Sequence, residues 1–131
     1  MKYLSFIALL LVLSGCQSYQ DELKVRRSVS VLTNSDVVWK GSFKSLVGTP
    51  NSKVKVAENY GKRTNKYLLS ALKYRDTFVT AHYLLTKINL KEYETRFSDW
   101  NGMKITISAE GVVNFHPEQR DKLIKFWNEK L

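Results

Sequence analysis

Between Thr64 and Ile88, seven side chains recur at alternating intervals of four and three residues: Tyr67, Ala71, Tyr74, Phe78, Ala81, Leu85 and Ile88. Residues so spaced share one stripe of an α-helix, so the chain is expected to build its core around one long central helix over this stretch. Leu68, Leu72 and Val79 widen the stripe, while Lys66, Lys73, Thr80 and Lys87 recur every seven residues on the opposite face. Leu69 and Leu84 fall near those lysines. Either another element covers that side, for which N-terminal strands are the preferred expectation, or it offers an apolar contact to a partner. A coiled coil is the poorer reading, because the repeat lasts three heptad intervals and lacks e/g charge pairing.

Strand signals flank this helix on both sides. From Val25 the chain alternates, with Val25, Val29 and Val31 on one side and Arg26, Ser28 and Ser30 on the other, interrupted by Arg27. Thr33-Asn34-Ser35-Asp36 signals a turn into Val37-Val38-Trp39-Lys40, a second strand. Ser42 to Val47 fits strand or short helix, and Gly48 to Lys53 reads as a loop around Pro50. Beyond Leu90, Tyr93 to Phe97 and Met103 to Ile107 alternate about Asn101-Gly102, a type I′ hairpin signal. Glu110-Gly111 then turns into Val112 to Phe115, completing an expected three-stranded meander. Pro117 suits the first turn of a last helix, in which Leu123, Ile124, Trp127 and Leu131 form the docking face. The expected fold class is α+β: a small antiparallel sheet of N-terminal strands and C-terminal meander, packed on the long central helix and the C-terminal helix.

The first residues carry a different kind of signal. Lys2 precedes an apolar run from Tyr3 to Leu13 broken only by Ser5, and small residues follow, the three parts of an export signal. The run is about half the roughly 20 residues that a membrane-spanning helix needs. Leu13-Ser14-Gly15-Cys16 resembles the lipobox of bacterial lipoproteins. That resemblance implies that Cys16 receives a diacylglycerol on its sulfur, that residues 1–15 are removed, and that the new amine is acylated, with a chain such as palmitate. Gln17 rather than Asp after the cysteine implies, by resemblance to enteric lipoproteins, sorting to the outer membrane, facing the periplasm. The alternatives are an ordinary secretory signal containing a cysteine, or an internal buried thiol. The division expected is 1–15 signal, 16–24 lipidated cysteine and tether, and 25–131 a single globular domain.

Cys16 is the only cysteine, so no internal disulfide can form and a packed core must hold the domain. Loss of residues 1–15 leaves 116, enough for one domain burying about two thirds of its unfolded surface. It also takes the formal charge from +9 to +8, which favours anionic partners such as phospholipid headgroups, lipopolysaccharide phosphates, peptidoglycan carboxylates or an acidic protein. The densest positive stretch, Lys53 to Arg75, holds seven basic residues against Glu58. Lys62, Arg63, Lys66 and Lys73 are its candidate anionic-partner patch, a solvated face being the plainer reading. Lys24, Arg26 and Arg27 read either as headgroup contacts beside the anchor or as a charged strand edge. Interleaved tyrosines suggest nucleic acid, which export disfavours.

Catalytic signatures are sparse. His82 flanks the core stripe, where a hydrogen-bonded structural imidazole is the plain reading, and His116 precedes Pro117. Asp76 and His82 are six residues apart, on different sides of a helix, so they form no local orienting pair. No His-x-x-x-His, no Asp-x-Asp-x-Asp and no glycine-rich phosphate cradle occurs. No cofactor, metal or catalytic residue is therefore expected. Two function classes remain: a monomeric envelope binding or adaptor lipoprotein, and a cell-wall or lipid hydrolase whose carboxylate pair only the fold brings together. A shallow groove between helix and sheet favours the first; a deep cleft holding two carboxylates favours the second.

Overall fold

Val25, Ser28, Val29 and Leu32 are buried while Arg26, Arg27, Ser30 and Val31 are exposed. That spacing is helical, and the chain through it forms α1, residues 17–30. The computed structural model describes residues 17–42, 45–90, 95–96 and 99–131; the expected signal segment and Cys16 lie outside them. Helix α1 corrects two expectations at once, the tether over 17–24 and the strand from Val25. A strand would hold Arg27 among the buried valines. The helix instead turns Arg27 to solvent and buries Leu32 in place of Val31, which is 47% exposed.

Leu32 lies just beyond α1, and Asn34–Asp36 form a 3₁₀ turn N-capped by Thr33 and closed by a capping box, in which Thr33 N–H donates to Asp36 Oδ2 at 2.7 Å. The expected second strand follows as β1 (Val37–Ser42), paired antiparallel with β2 (Ser45–Pro50) in a register that sets Trp39 opposite Gly48. A Cβ at Gly48 would lie 2.8 Å from the Trp39 ring, so glycine is what lets the indole lie across the partner strand. The loop expected at Gly48 to Lys53 is instead strand end and helix start. Asn51 caps α2 (Ser52–Asn59) by accepting from Val54 N–H at 3.2 Å.

The long helix is broken. A 3₁₀ turn (Gly61–Thr64), α3 (Asn65–Ala71) and α4 (Phe78–Asn89) replace it. No glycine or proline stands in the break at 72–77. The cause is tertiary: Asn34 takes the freed carbonyls, its N–H donating to Asp76 O at 2.7 Å and its amide to Arg75 O at 2.8 Å. Its Oδ1 also accepts from Val79 N–H at 3.0 Å, capping α4, whose own Thr77 makes no side-chain cap. Helix α4 is then buried on every side from Phe78 to Thr86, as a central helix must be. Reciprocal amide bonds between Asn65 and Asn89, 2.8 and 2.9 Å, tie α3 to its end. Leu84 is fully buried and Leu69 packs half-buried on the core, so the core itself covers both leucines.

The C-terminal β structure is smaller than a meander. Strand β3 (Thr95–Arg96) pairs with β4 (Asp99–Trp100), not with residues 103–107; most of the strand expected at Tyr93 to Phe97 lies outside the described residues. The Asn101-Gly102 turn does form: φ is 47° and 90°, and Trp100 and Met103 exchange backbone hydrogen bonds across it. The hairpin around Glu110-Gly111 joins β5 (Ile105–Ile107) to β6 (Val113–Phe115). Among the described residues the strands therefore form three separate antiparallel pairs, in an α+β fold. Pro117 opens a 3₁₀ turn leading into α5 (Arg120–Lys130), whose Leu123 and Trp127 are fully buried, with Ile124 half-buried and Leu131 exposed. No helix of the described residues is long and apolar enough to cross a membrane.

Candidate functional site

The Asn34-capped break and the two longer hairpins bound a groove of about 310 Å³. Trp39, Phe78 and Phe115 give it an aromatic floor, and Arg75, Asp76 and Asn114 stand exposed on its rim. Trp39 belongs to an edge-to-face cluster, its ring centroid 4.8 Å from Trp100, 5.2 Å from Phe115 and 5.7 Å from Tyr83. The floor is thus continuous with the core, while the rim carries one cation and one carboxylate. Such a surface takes an apolar group on the floor and polar groups at the edge.

A second groove, about 370 Å³, runs between α1 and the end of α3. Arg26, Ser30, Ser70, Tyr67 and Tyr74 line it. Tyr74, expected in the core stripe, is 62% exposed here, because the chain has left helical geometry by that residue. Neither Arg26 nor Tyr74 has a bonded acidic neighbour among the described residues.

All four residues of the expected cationic patch are exposed, with Lys62 and Arg63 on the 3₁₀ turn, Lys66 on α3 and Lys73 beyond its end. Two are engaged from α1: Arg63 holds Asp21 at 2.7 Å and Lys66 holds Glu22 at 2.6 Å. Tyr67 O–H also donates to Glu22. The Lys66 ammonium and the Tyr67 hydroxyl hold the Glu22 carboxyl below its ordinary value. Glu22 in turn raises Lys66 and Tyr67, and Asp21 raises Arg63. The pairing with Asp21 and Glu22 was not legible from local sequence, since it joins residues more than forty positions apart.

His82 is fully buried and occupied on both ring nitrogens: Trp127 Nε1–H donates to Nδ1 at 2.8 Å, and Nε2–H donates to the Trp100 carbonyl at 2.8 Å. It is structural, and Asp76, exposed on the groove rim, is not its partner. His116 lies half-exposed beside Glu118, 3.6 Å away, and Thr106. Among the described residues no three His, Cys, Asp or Glu side chains gather as a metal site. The groove itself escaped sequence reading because it depends on the helix break. Asn34, a turn signal whose side chain bridges 41 and 45 residues of sequence, was the residue to watch. Comparison of the chain with family models, with curated proteins and with solved structures finds no match.

Proposed function

We propose that the chain is a bacterial envelope lipoprotein, acylated at Cys16 after loss of residues 1–15, whose domain is a monomeric binding or adaptor module facing the periplasm from the outer membrane. The observation that carries the binding reading is the groove: shallow, floored by Trp39, Phe78 and Phe115, and lying between a helix start and two hairpins. A carboxylate-based hydrolase needs two carboxylates across one cleft. Among the described residues Asp76 is the one carboxylate lining either groove described above, so neither groove supplies that pair.

In this reading the groove takes a segment of another envelope protein, with an apolar side chain on the aromatic floor and charges complementary to Arg75 and Asp76 at the rim. Lys62 and Lys73, unpaired among the described residues, supply attraction to an anionic envelope component around it. The test is site-specific capture in intact cells. A photo-crosslinking side chain at Asn114 is expected to trap one discrete envelope component, and one at Val56, exposed on α2 outside the groove, is expected to trap none. Equal capture from both positions, or from neither, overturns the reading.

A further inference from the structure

Helix α1 pairs its acids but, among the described residues, not its cations. Its two acids, Asp21 and Glu22, turn toward α3 and the 3₁₀ turn before it, Glu22 bonded to Lys66 and Tyr67 and Asp21 to Arg63. Its three cations, Lys24, Arg26 and Arg27, are all exposed, and none has an acid within ion-pair distance among the described residues. Tyr19, 66% exposed, and Leu23, 36% exposed, lie four apart on the outward arc that Arg27 continues at helical spacing, while Arg26 and Ser30 stand where that arc meets the groove toward α3. The outward face is therefore cationic with a Tyr and a Leu at its N-terminal end, and it carries no negative charge. This is the composition of a helix that lies in a lipid headgroup layer, with the cations on phosphates and the apolar side chains at the acyl boundary. Tyrosine favours that depth because its ring is apolar and its hydroxyl is wet.

We infer that the outward face of α1 docks on an anionic phospholipid leaflet and so fixes the orientation of the domain above the membrane. The inference rests on the proposed lipid anchor at Cys16, which the sequence places directly before residue 17, itself already helical. With α1 bound to α3 by Glu22, to the turn before it by Asp21, and to the core by Val29, docking of one element carries the core with it. The groove floored by Trp39 is then held in a constant attitude to the bilayer instead of swinging on a tether.

The test uses the native lipidated chain carrying Tyr19→Trp, reconstituted in vesicles with brominated acyl chains, of phosphatidylcholine alone or mixed with phosphatidylglycerol. Expected is bromine quenching of the new indole, read against the parent chain with its three native tryptophans, in the phosphatidylglycerol vesicles only, and released by salt. Each cation near an anionic surface is worth about fivefold in binding. Lys24→Gln, Arg26→Gln and Arg27→Gln together are therefore expected to lower the docked-to-undocked ratio by about a hundredfold, while the protein stays on the vesicles through its lipid. Quenching that is absent, or indifferent to lipid charge and to the triple substitution, overturns the inference. Failure of the anchor reading looks different: the protein then washes off phosphatidylcholine vesicles altogether.

Discussion

Trp127 and Trp100 are both fully buried, and they differ in one bond. The Trp127 indole N–H donates to His82 Nδ1, whereas the Trp100 indole N–H has no partner among the described residues. Replacing Trp127 by Phe removes the indole donor to the buried His82 Nδ1, which costs about 1–3 kcal/mol beyond the lost packing. Trp100→Phe removes the same atoms and also an orphaned donor. Urea unfolding is therefore expected to show Trp127→Phe as the more destabilising by about 1–3 kcal/mol; equal midpoints would remove the hydrogen bond from the account. That His82 is a structural imidazole was legible from its place beside the core stripe. Its partners were not, because they lie 18 and 45 residues away, and no local pattern records such distances. The same holds at Asp36. Burial pushes its carboxyl up, but Thr33 N–H, the Asn51 amide and the nearby Lys53 outweigh burial and hold it below its ordinary value. Only the Thr33 contact lies within reach of a capping-box reading.

The seven-residue stripe correctly located core positions at Phe78, Ala81 and Leu85 and failed at Tyr74, where Asn34 diverts the chain. A hydrophobic period records which side chains are buried and says nothing about a polar side chain from elsewhere competing for the backbone carbonyls. Asn34→Ala removes the cap on Val79 and is expected to cost about 1–2 kcal/mol. Asn34→Asp keeps that acceptor but loses the donor to Arg75 O, so thermal unfolding is expected to place it between wild type and Ala. An Asp variant no better than Ala would mean that the cap on α4 is not what the side chain supplies. Helix α1 was misread for a related reason. Val25 and Val29 fit both periods, and the deciding contacts are distant ones, Glu22 with Lys66 and Tyr67 on α3 and Asp21 with Arg63 on the 3₁₀ turn before it. Those contacts make α1 docking sensitive to acid. Glu22 has a lowered pKa in the folded chain, so its contribution is full above the ordinary carboxylate pKa and is lost as pH falls through the lowered value. Amide protection factors in residues 17–30 are expected to fall by a small factor over that window in the wild type, and to be lower by a similar factor already at neutral pH in Glu22→Gln, because an exposed ion pair contributes little. Protection independent of both would show that Val25, Val29 and Leu32 alone hold the helix.

At the scale of the molecule, one apolar cluster reaches from Val29 to Trp127 without help from any disulfide, so the domain is expected to fold without a redox requirement. Removing α5 at Pro117 withdraws Leu123 and Trp127, each worth roughly 1.5–3 kcal/mol of burial, and exposes His82 Nδ1. The truncated chain is expected to aggregate, and a soluble, cooperatively unfolding product would make α5 peripheral. The α+β class, the β1 strand, the Asn101-Gly102 turn and the last helix were legible because each rests on local chemistry. The sheet arrangement, the helix break and the groove were not, because each is settled by contacts between distant residues. The proposed anchor at Cys16 is the premise on which the proposed setting of the groove and the inferred docking of α1 both depend. Its most direct measurement is the mass of the N-terminal peptide of the protein isolated from membranes. A peptide beginning at Cys16 and carrying a diacylglyceryl group and an amide-linked acyl chain is the predicted result; an unmodified Cys16, or a chain still holding residues 1–15, would contradict it.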